Sequence, residues 1–461
     1  MRCRWSLFAL AVVLVGAPAV HAQPPIEPKD GKYVVELAVD AVGPARPALK
    51  HRLLPDPRDL QPGNQIQAFY KCFFEQNKLF HAKESTDKQQ KWNTAPLKDL
   101  ATDKELVNYG GGAVKQAFYA ARLDAVNWEL THQARVEGVE LLLPDVQQMR
   151  MLTTVMKVRA RGEIARGEFG AALQTLQAQF ALARTFNEHP TLIGHLVGIA
   201  LGMVAATELE EFVQQPGAPN LFWALTDLPR PLIDLRKGHE GERRLVGKEY
   251  DVLRKAVPVS EPELSARIKM LDTINGLGDG KTSTPSVWCA KQAQDKGAVA
   301  AATTRLTEAG HKADALAKLS PLQVILMDDF LQYENELDDN MKWTNVPFWR
   351  APADFGTQKH PGAFGTLLPV YKKVTLARVR LEQLVAQLTV VEAVRAHAAE
   401  NGGQLPTTLD AVKLPLPVDP VSGKSFVYEV KENRATIRGT PPPGQEQWPT
   451  SNRVYEITVR K

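Results

Sequence analysis

Cysteine is nearly absent from this chain, with three residues in 461. A disulfide-stapled scaffold needs a closely spaced, even set, so that class is excluded. Cys3 lies at the extreme N-terminus, which leaves Cys72 and Cys289 as one distant pair able to join in an oxidising compartment. An excess of one charge is missing too. Lys and Arg number 56 against 52 Asp and Glu, a balance without the electrostatic footprint of a nucleic-acid or anionic-membrane binder. Catalytic signatures are equally scarce. No Gly-x-Ser-x-Gly elbow marks a nucleophile. In "GLGDGKT" only three residues separate Gly276 from Gly280, whereas a phosphate loop needs four and a preceding strand. Glu129-x-x-His132 and Glu308-x-x-His311 have the one-turn spacing of a di-metal helical bundle, yet about one such pair is expected by accident at ordinary composition. The acidic run "DDFLQYENELDDN" lacks calcium-loop spacing and its glycine, and reads as a solvated helix face. The sequence therefore assigns no catalytic residue, metal or cofactor.

What is there begins with the N-terminus. Arg2 and Arg4 precede an apolar run from Leu7 to Val15, and Val20-His21-Ala22 supplies small residues at a cleavage site. This is the pattern of a secretory signal peptide, residues 1–22, cut between Ala22 and Gln23. The apolar run is too short to span a bilayer. The expectation is an exported chain, periplasmic or extracellular, with no integral membrane span once the signal is removed.

From 23 to 61 the chain reads as extended, with Tyr33, Val35, Leu37 and Val39 on one face of a strand. Residues 62–340 read as a helical domain. Ile66, Phe69, Phe73 and Phe80 fit one helix face after a Gly63-Asn64 start. Val136, Val139, Leu142, Val146, Met149, Leu152 and Met156 fit another, with Pro144 in a first turn or at a kink. The Gly167-Glu168-Phe169 turn, followed by Ala172, Leu176 and Phe180, resembles the centre of a tetratricopeptide unit. That likeness covers one helical hairpin, with no second copy at the repeat period. In "TLIGHLVGIALGMVAATELEEF", Gly194, Gly198 and Gly202 recur every four residues and permit close helix contact. Its apolar part is shorter than a membrane span and contains His195, so it reads as a buried core helix. Residues 341–372 form a linker rich in Pro, Gly and aromatics. Trp343, Phe348 and Trp349 are its candidate interface anchors; the competing and better-supported reading is that these rings, with Phe355 and Phe364, pack the tail onto the helices.

Two resemblances add to this. "PALKHRLLPDPRDLQPGN", "VELLLPDVQQMRML", "ARGEFGAALQTLQAQFALAR", "PTLIGHLVGIAL" and "QQPGAPNLFWALTDLPRPLIDLRKGHEGER" together resemble a family of large exported proteins of planctomycete-type bacteria, over about residues 45–245. The resemblance implies export and carries no activity. From Val374, an amphipathic helix, "NGGQLPTTLDAV", the Asp419-Pro420 and Gly423-Lys424 turns and strands near 426–430, 435–438 and 454–459 are similar to the globular half of type II secretion major pseudopilins. The chain departs from that family in having some 370 residues ahead of the module and Arg378, Arg380 and Glu382 on its helix, so assembly through that helix in the pseudopilin manner is not implied. No carboxylate cluster follows Asp419, so the family's calcium site is not carried over.

The expected fold is mainly α: a multi-helical hairpin domain, tetratricopeptide-like or α-solenoid-like, followed by a small α+β pseudopilin-like domain at 373–461. The expected role is an exported, non-enzymatic interaction or scaffold protein with a protein partner and no nucleic acid. The alternatives are an enzyme of unrecognised, perhaps hydrolytic, type and an accessory factor of an envelope or secretion assembly.

Overall fold

The computed structural model describes residues 31–130, 143–276, 284–352, 355 and 360–460. The signal segment with its Ala22–Gln23 cleavage site, Val136, Val139, Leu142, His132 and most of the glycine-rich 276–282 stretch lie outside the described residues. The chain is about 60% helix and 9% strand, mainly helical with a small C-terminal sheet. Its longer helices are α1 (Lys83–Thr94), α2 (Gly111–Ala120), α3 (Pro144–Ala165), α4 (Phe169–Thr185), α5 (Leu192–Val213), α6 (Arg236–Tyr250), α7 (Glu261–Gly276), α8 (Pro285–Gln294), α9 (Lys296–Glu308), α10 (Pro321–Lys342) and α11 (Pro369–Glu400). The strands are β1 (Tyr33–Val39), β2 (Gln61–Asn64), β3 (Leu123–Ala125), β4 (Val427–Lys431), β5 (Arg434–Arg438) and β6 (Arg453–Val459).

The first expected helix forms in pieces. Asn64 caps a short helix, Gln65–Tyr70, by accepting a hydrogen bond from the Ile66 N–H at 3.1 Å. Glu75 then adopts a left-handed φ of 59°, which no helix accommodates, and Phe80 falls on a separate turn, Asn77–His81. The apolar face survives the break, because the Phe73 and Phe80 rings lie 4.4 Å apart.

Helices α3 and α4 form a hairpin. Pro144 opens α3 at its first position, where its missing N–H costs nothing. Gly167 closes the helix with φ 71°, and the Glu168 N–H reaches back to the Glu163 carbonyl at 2.9 Å, a glycine-based helix stop. Helix α5 packs against α3, α4 and α11. Its glycine stripe is spent on three different neighbours: an added Cβ would lie 2.1 Å from the His189 ring at Gly194, 2.6 Å from Phe186 Cβ at Gly198 and 3.0 Å from Leu381 at Gly202. By length and composition alone α5 could cross a membrane, but 72% of its apolar window is buried inside the fold.

The sheet has the order β1-β6-β5-β4. Strands β4, β5 and β6 are antiparallel neighbours, whereas β1 lies parallel to β6, with Tyr33 opposite Arg453 and Val39 opposite Val459. The N-terminal strand thus completes a sheet whose other members come from the far end of the chain. Alternation puts Val35, Leu37 and Val39 on the inner face at 2%, 1% and 0% exposure. They continue across the sheet as the rows Val35–Tyr455–Ile437–Tyr428 and Leu37–Ile457–Ala435–Val430, the cross-strand packing that stabilises sheets. Leu37→Ala is expected to cost about 2–3 kcal/mol in urea unfolding followed by tryptophan fluorescence. A loss under about 0.5 kcal/mol would show that β1 is not part of the cooperative unit.

Cys72 and Cys289, whose pairing the sequence leaves open, are both buried free thiols. One sequence reading needs correction. The acidic run is not a solvated face throughout: on α10, Asp328 and Asp329 are only 4% and 2% exposed, because Arg305 and His360, from other parts of the chain, pair with them.

Candidate functional site

Several buried charged groups lie on α5 and α11, the helices that reach toward the C-terminal sheet. The last turns of α5 carry Glu208, Glu210 and Glu211, all buried. Their positions on the helix send them three ways. Glu211 accepts a two-pronged pair from Arg161 on α3, at 2.8 Å to each oxygen. Glu208 accepts from the Gln179 amide at 3.1 and 3.2 Å. Burial pushes its carboxyl up, and burial pushes the neighbouring Lys157 amine down. Glu210 faces the sheet, where Arg453 and the Tyr455 hydroxyl donate to it. Arg453 also lies over the Tyr33 ring, 4.6 Å from its centroid, so one carboxylate links α5 to β6 and, through Arg453, to β1.

A second knot lies on α11. Arg395, fully buried, donates to both oxygens of Glu392 at 2.9 and 3.0 Å, to the Ala218 carbonyl at 2.9 Å and to the Asp40 carbonyl at 3.1 Å. Asp40, just after β1, accepts from Arg460 at 2.6 Å and from the Gly217 N–H at 2.8 Å. The stretch around Ala218, α11 and the ends of β1 and β6 therefore share one hydrogen-bonded network, buried at Arg395 and Glu392 and partly exposed at Asp40 and Arg460.

The linker supplies a third cluster. His360 is buried, with Nε2 at 2.7 Å from Asp329 and Nδ1 at 3.3 Å from Glu336, both on α10. Phe364 is 0% exposed and enters a pocket of rings, 4.8 Å from Tyr250, 5.1 Å from Phe330 and 5.5 Å from Tyr333. Cys289 lies within electrostatic reach of Asp329, but burial, aided by Asp329 and Asp272, pushes its thiol up to about 12, the opposite of an activated nucleophile.

A fourth group is neutral. His189, His195 and His239 are 0%, 0% and 1% exposed around the start of α5. Burial, with the neighbouring His195, lowers His189 and His239 to about 3, and burial lowers His195 as well. The His195 Nδ1 lies 2.9 Å from the Thr191 carbonyl, and His239 packs edge-on to Tyr371 at 5.2 Å.

Of the aromatics singled out in the sequence, Trp343 and Phe348 are half-buried on short 3-10 turns. Trp349 is 38% exposed and lies against Gly423, where an added Cβ would come within 2.5 Å of its ring. Gly423 belongs to the Asp419–Lys424 turn. Asp419 organises that turn from a buried position: its side chain accepts from Gln383 of α11 at 2.9 Å, from the Val421 N–H at 3.0 Å and from the Thr440 N–H at 2.7 Å. Of the one-turn Glu/His pairs, Glu308 is the last residue of α9 and Gly310 follows with φ 99°, so His311 is carried off the helix face that the spacing assumed. Among the described residues no group of three or more His, Cys, Asp or Glu is arranged to hold a metal ion. A shallow surface depression beside Pro55, Phe118 and Gln177 encloses no room for a bound water, let alone a small-molecule ligand.

The buried carboxylates of α5 were missed by sequence reasoning. The signal that could have found them is three glutamates within the last six residues of an otherwise apolar helix, which demands buried cations elsewhere. No protein-family model, curated protein or solved structure matches this chain.

Proposed function

We propose that the protein is an exported, non-enzymatic interaction or scaffold protein, in which the helical body and the C-terminal module act as one unit and a protein partner meets the module's outer rim. The observation that carries this reading is the apolar surface at that rim. Val418 and Val427 are each 44% exposed and Trp349 38%, all on or beside the Asp419–Lys424 turn. Next to them β4 is the last strand of its sheet, with Val427, Glu429 and Lys431 turned outward. An edge strand with free backbone groups and apolar neighbours suits the addition of an extended segment from another protein. The enclosure of Lys157, Cys289 and His360 in the core favours this role over turnover.

The test is in-cell cross-linking with mass spectrometry on the full chain and on a V418K/V427K variant. Truncation before the module is unsuitable, because it strips β1 of its partner. Specific partner cross-links at 418–431 that vanish in the variant are expected, on a mature chain that begins at Gln23. Partner cross-links indifferent to the variant, or an intact Met1 end on the exported protein, would sink the corresponding part of the reading.

A further inference from the structure

The carboxylates of α10 are matched one by one to cations. Asp328 takes a bidentate pair from Arg305 at 2.9 and 2.6 Å, Glu334 pairs with Arg254 at 2.5 Å, Asp338 with Arg243 at 2.7 Å and Asp339 with Lys342 at 2.6 Å. These partners stay charged at any ordinary pH. Asp329 and Glu336 differ: among the described residues, the cationic group bridging them is the His360 imidazole. Both ring nitrogens face carboxylate oxygens, which only the doubly protonated ring can satisfy, since a neutral ring turns one lone pair onto a carboxylate.

The bond geometry around this histidine is tight. Asp329 uses its second oxygen to accept the Phe364 N–H at 3.2 Å. Gly362 is required, because a Cβ there would fall 1.5 Å from Asp329 Oδ1 and 2.6 Å from His360 Nε2, and at Gly365 it would fall 2.2 Å from the His360 carbonyl. The segment leads straight through Gly365–Leu367 into α11, the helix that carries the module.

We infer that His360, Asp329 and Glu336 form a pH-sensitive clasp, in which the imidazolium holds segment 360–367 and the start of α11 against α10 and its deprotonation as pH rises releases them. The other titratable groups packed around the cluster do not compete for this role. Tyr333 of α10 and Tyr250 of α6 are phenols, with Tyr250 raised by burial. Cys289 of α8 is held as a thiol, and Asp272 of α7 is engaged by the Ser286 N–H at 2.9 Å. Burial alone would lower His360, but the hydrogen bonds and charges of Asp329 and Glu336 outweigh it and raise it above the ordinary 6.5. The sign follows: the clasp's contribution is complete below about pH 6.5 and is lost as pH rises through the folded value.

Hydrogen–deuterium exchange on the full chain tests this. The markers are the amides of Phe364, Gly365 and Leu367, bonded to Asp329, Gly362 and Phe364 respectively. After correction for intrinsic exchange, their protection is expected to fall at least about tenfold between pH 6.5 and 9.5, while peptides of α4 and α5 keep theirs. H360Q is expected to show weak protection that varies less than about twofold over the same range, and E336Q to move the native midpoint downward. Protection independent of pH in the native chain, a native-like pH response in H360Q, or an unmoved midpoint in E336Q would each overturn the clasp.

Discussion

Arg395→Met is expected to destabilise the protein by about 3–5 kcal/mol, the cost of breaking a buried ion pair from one side. The substitution removes four hydrogen bonds at once. It leaves Glu392 as an unpaired carboxylate at 0% exposure and the Ala218 and Asp40 carbonyls without their donor. Glu392 would then take up a proton, since burial already raises its carboxyl. The companion variant R395M/E392L separates the two parts of the loss. Replacing both charges with apolar groups of similar size often restores stability, so the double variant should regain at least about half of it. Urea unfolding at pH 7.5 reads both. A single-variant loss under about 1 kcal/mol would mean that the network across Asp40, Ala218 and α11 does not hold the module to the body.

The second large effect is acid destabilisation by the neutral histidines. In the folded chain burial keeps His189 and His239 neutral down to about pH 3, whereas in the unfolded chain each takes up a proton near 6.5. Below about 6.5 the unfolded state therefore binds more protons, and stability falls with pH by up to about 1.4 kcal/mol per unit for each such group. Buried carboxyls raised by burial, such as Glu208 and Glu210, oppose this trend. A difference between variants is the cleaner reading. His239 packs against Tyr371 by its ring edge, which phenylalanine can reproduce. H239F should match the native chain within about 1 kcal/mol at pH 7.5 and exceed it by about 2 kcal/mol at pH 5. An H239F curve parallel to the native one across that range would show that His239 is charged in the fold. This slope has the opposite sign to that of the clasp at His360, so stability should peak between the two titrations.

Much of the architecture was legible locally. The period of two over 33–39, the proline at 144, the glycine stop at 167 and the helix and strands after 369 are all written within a few residues of where they act. The partners were not. Nothing in "YVVELAV" says that it pairs with "RVYEITV" some four hundred residues later, because any strand with one apolar face would accept it. Glu208, Glu210 and Glu211 carry no local sign of burial, since the cations around them, Lys157, Arg161 and Arg453, are distant in sequence. The acidic run misled for the same reason: a row of carboxylates looks solvated until Arg305 and His360 are brought to it. In the linker, composition marked the aromatics but not their sorting, with Phe364 plugged into a ring pocket while Trp349 bridges to the module's turn.

The parallel pairing of β1 with β6 also sets the order in which this protein can be made. β1 is synthesised some four hundred residues before β6, so the sheet can close only after Arg453–Val459 exists. Closing so long a loop is slow in its search though modest in its entropy, which grows only with the logarithm of length. Until then Val35, Leu37 and Val39 remain an exposed apolar strand. A chain cut short before Arg453 lacks the strand that pairs with β1, so completion of the sheet reports that everything from β1 to β6 is present.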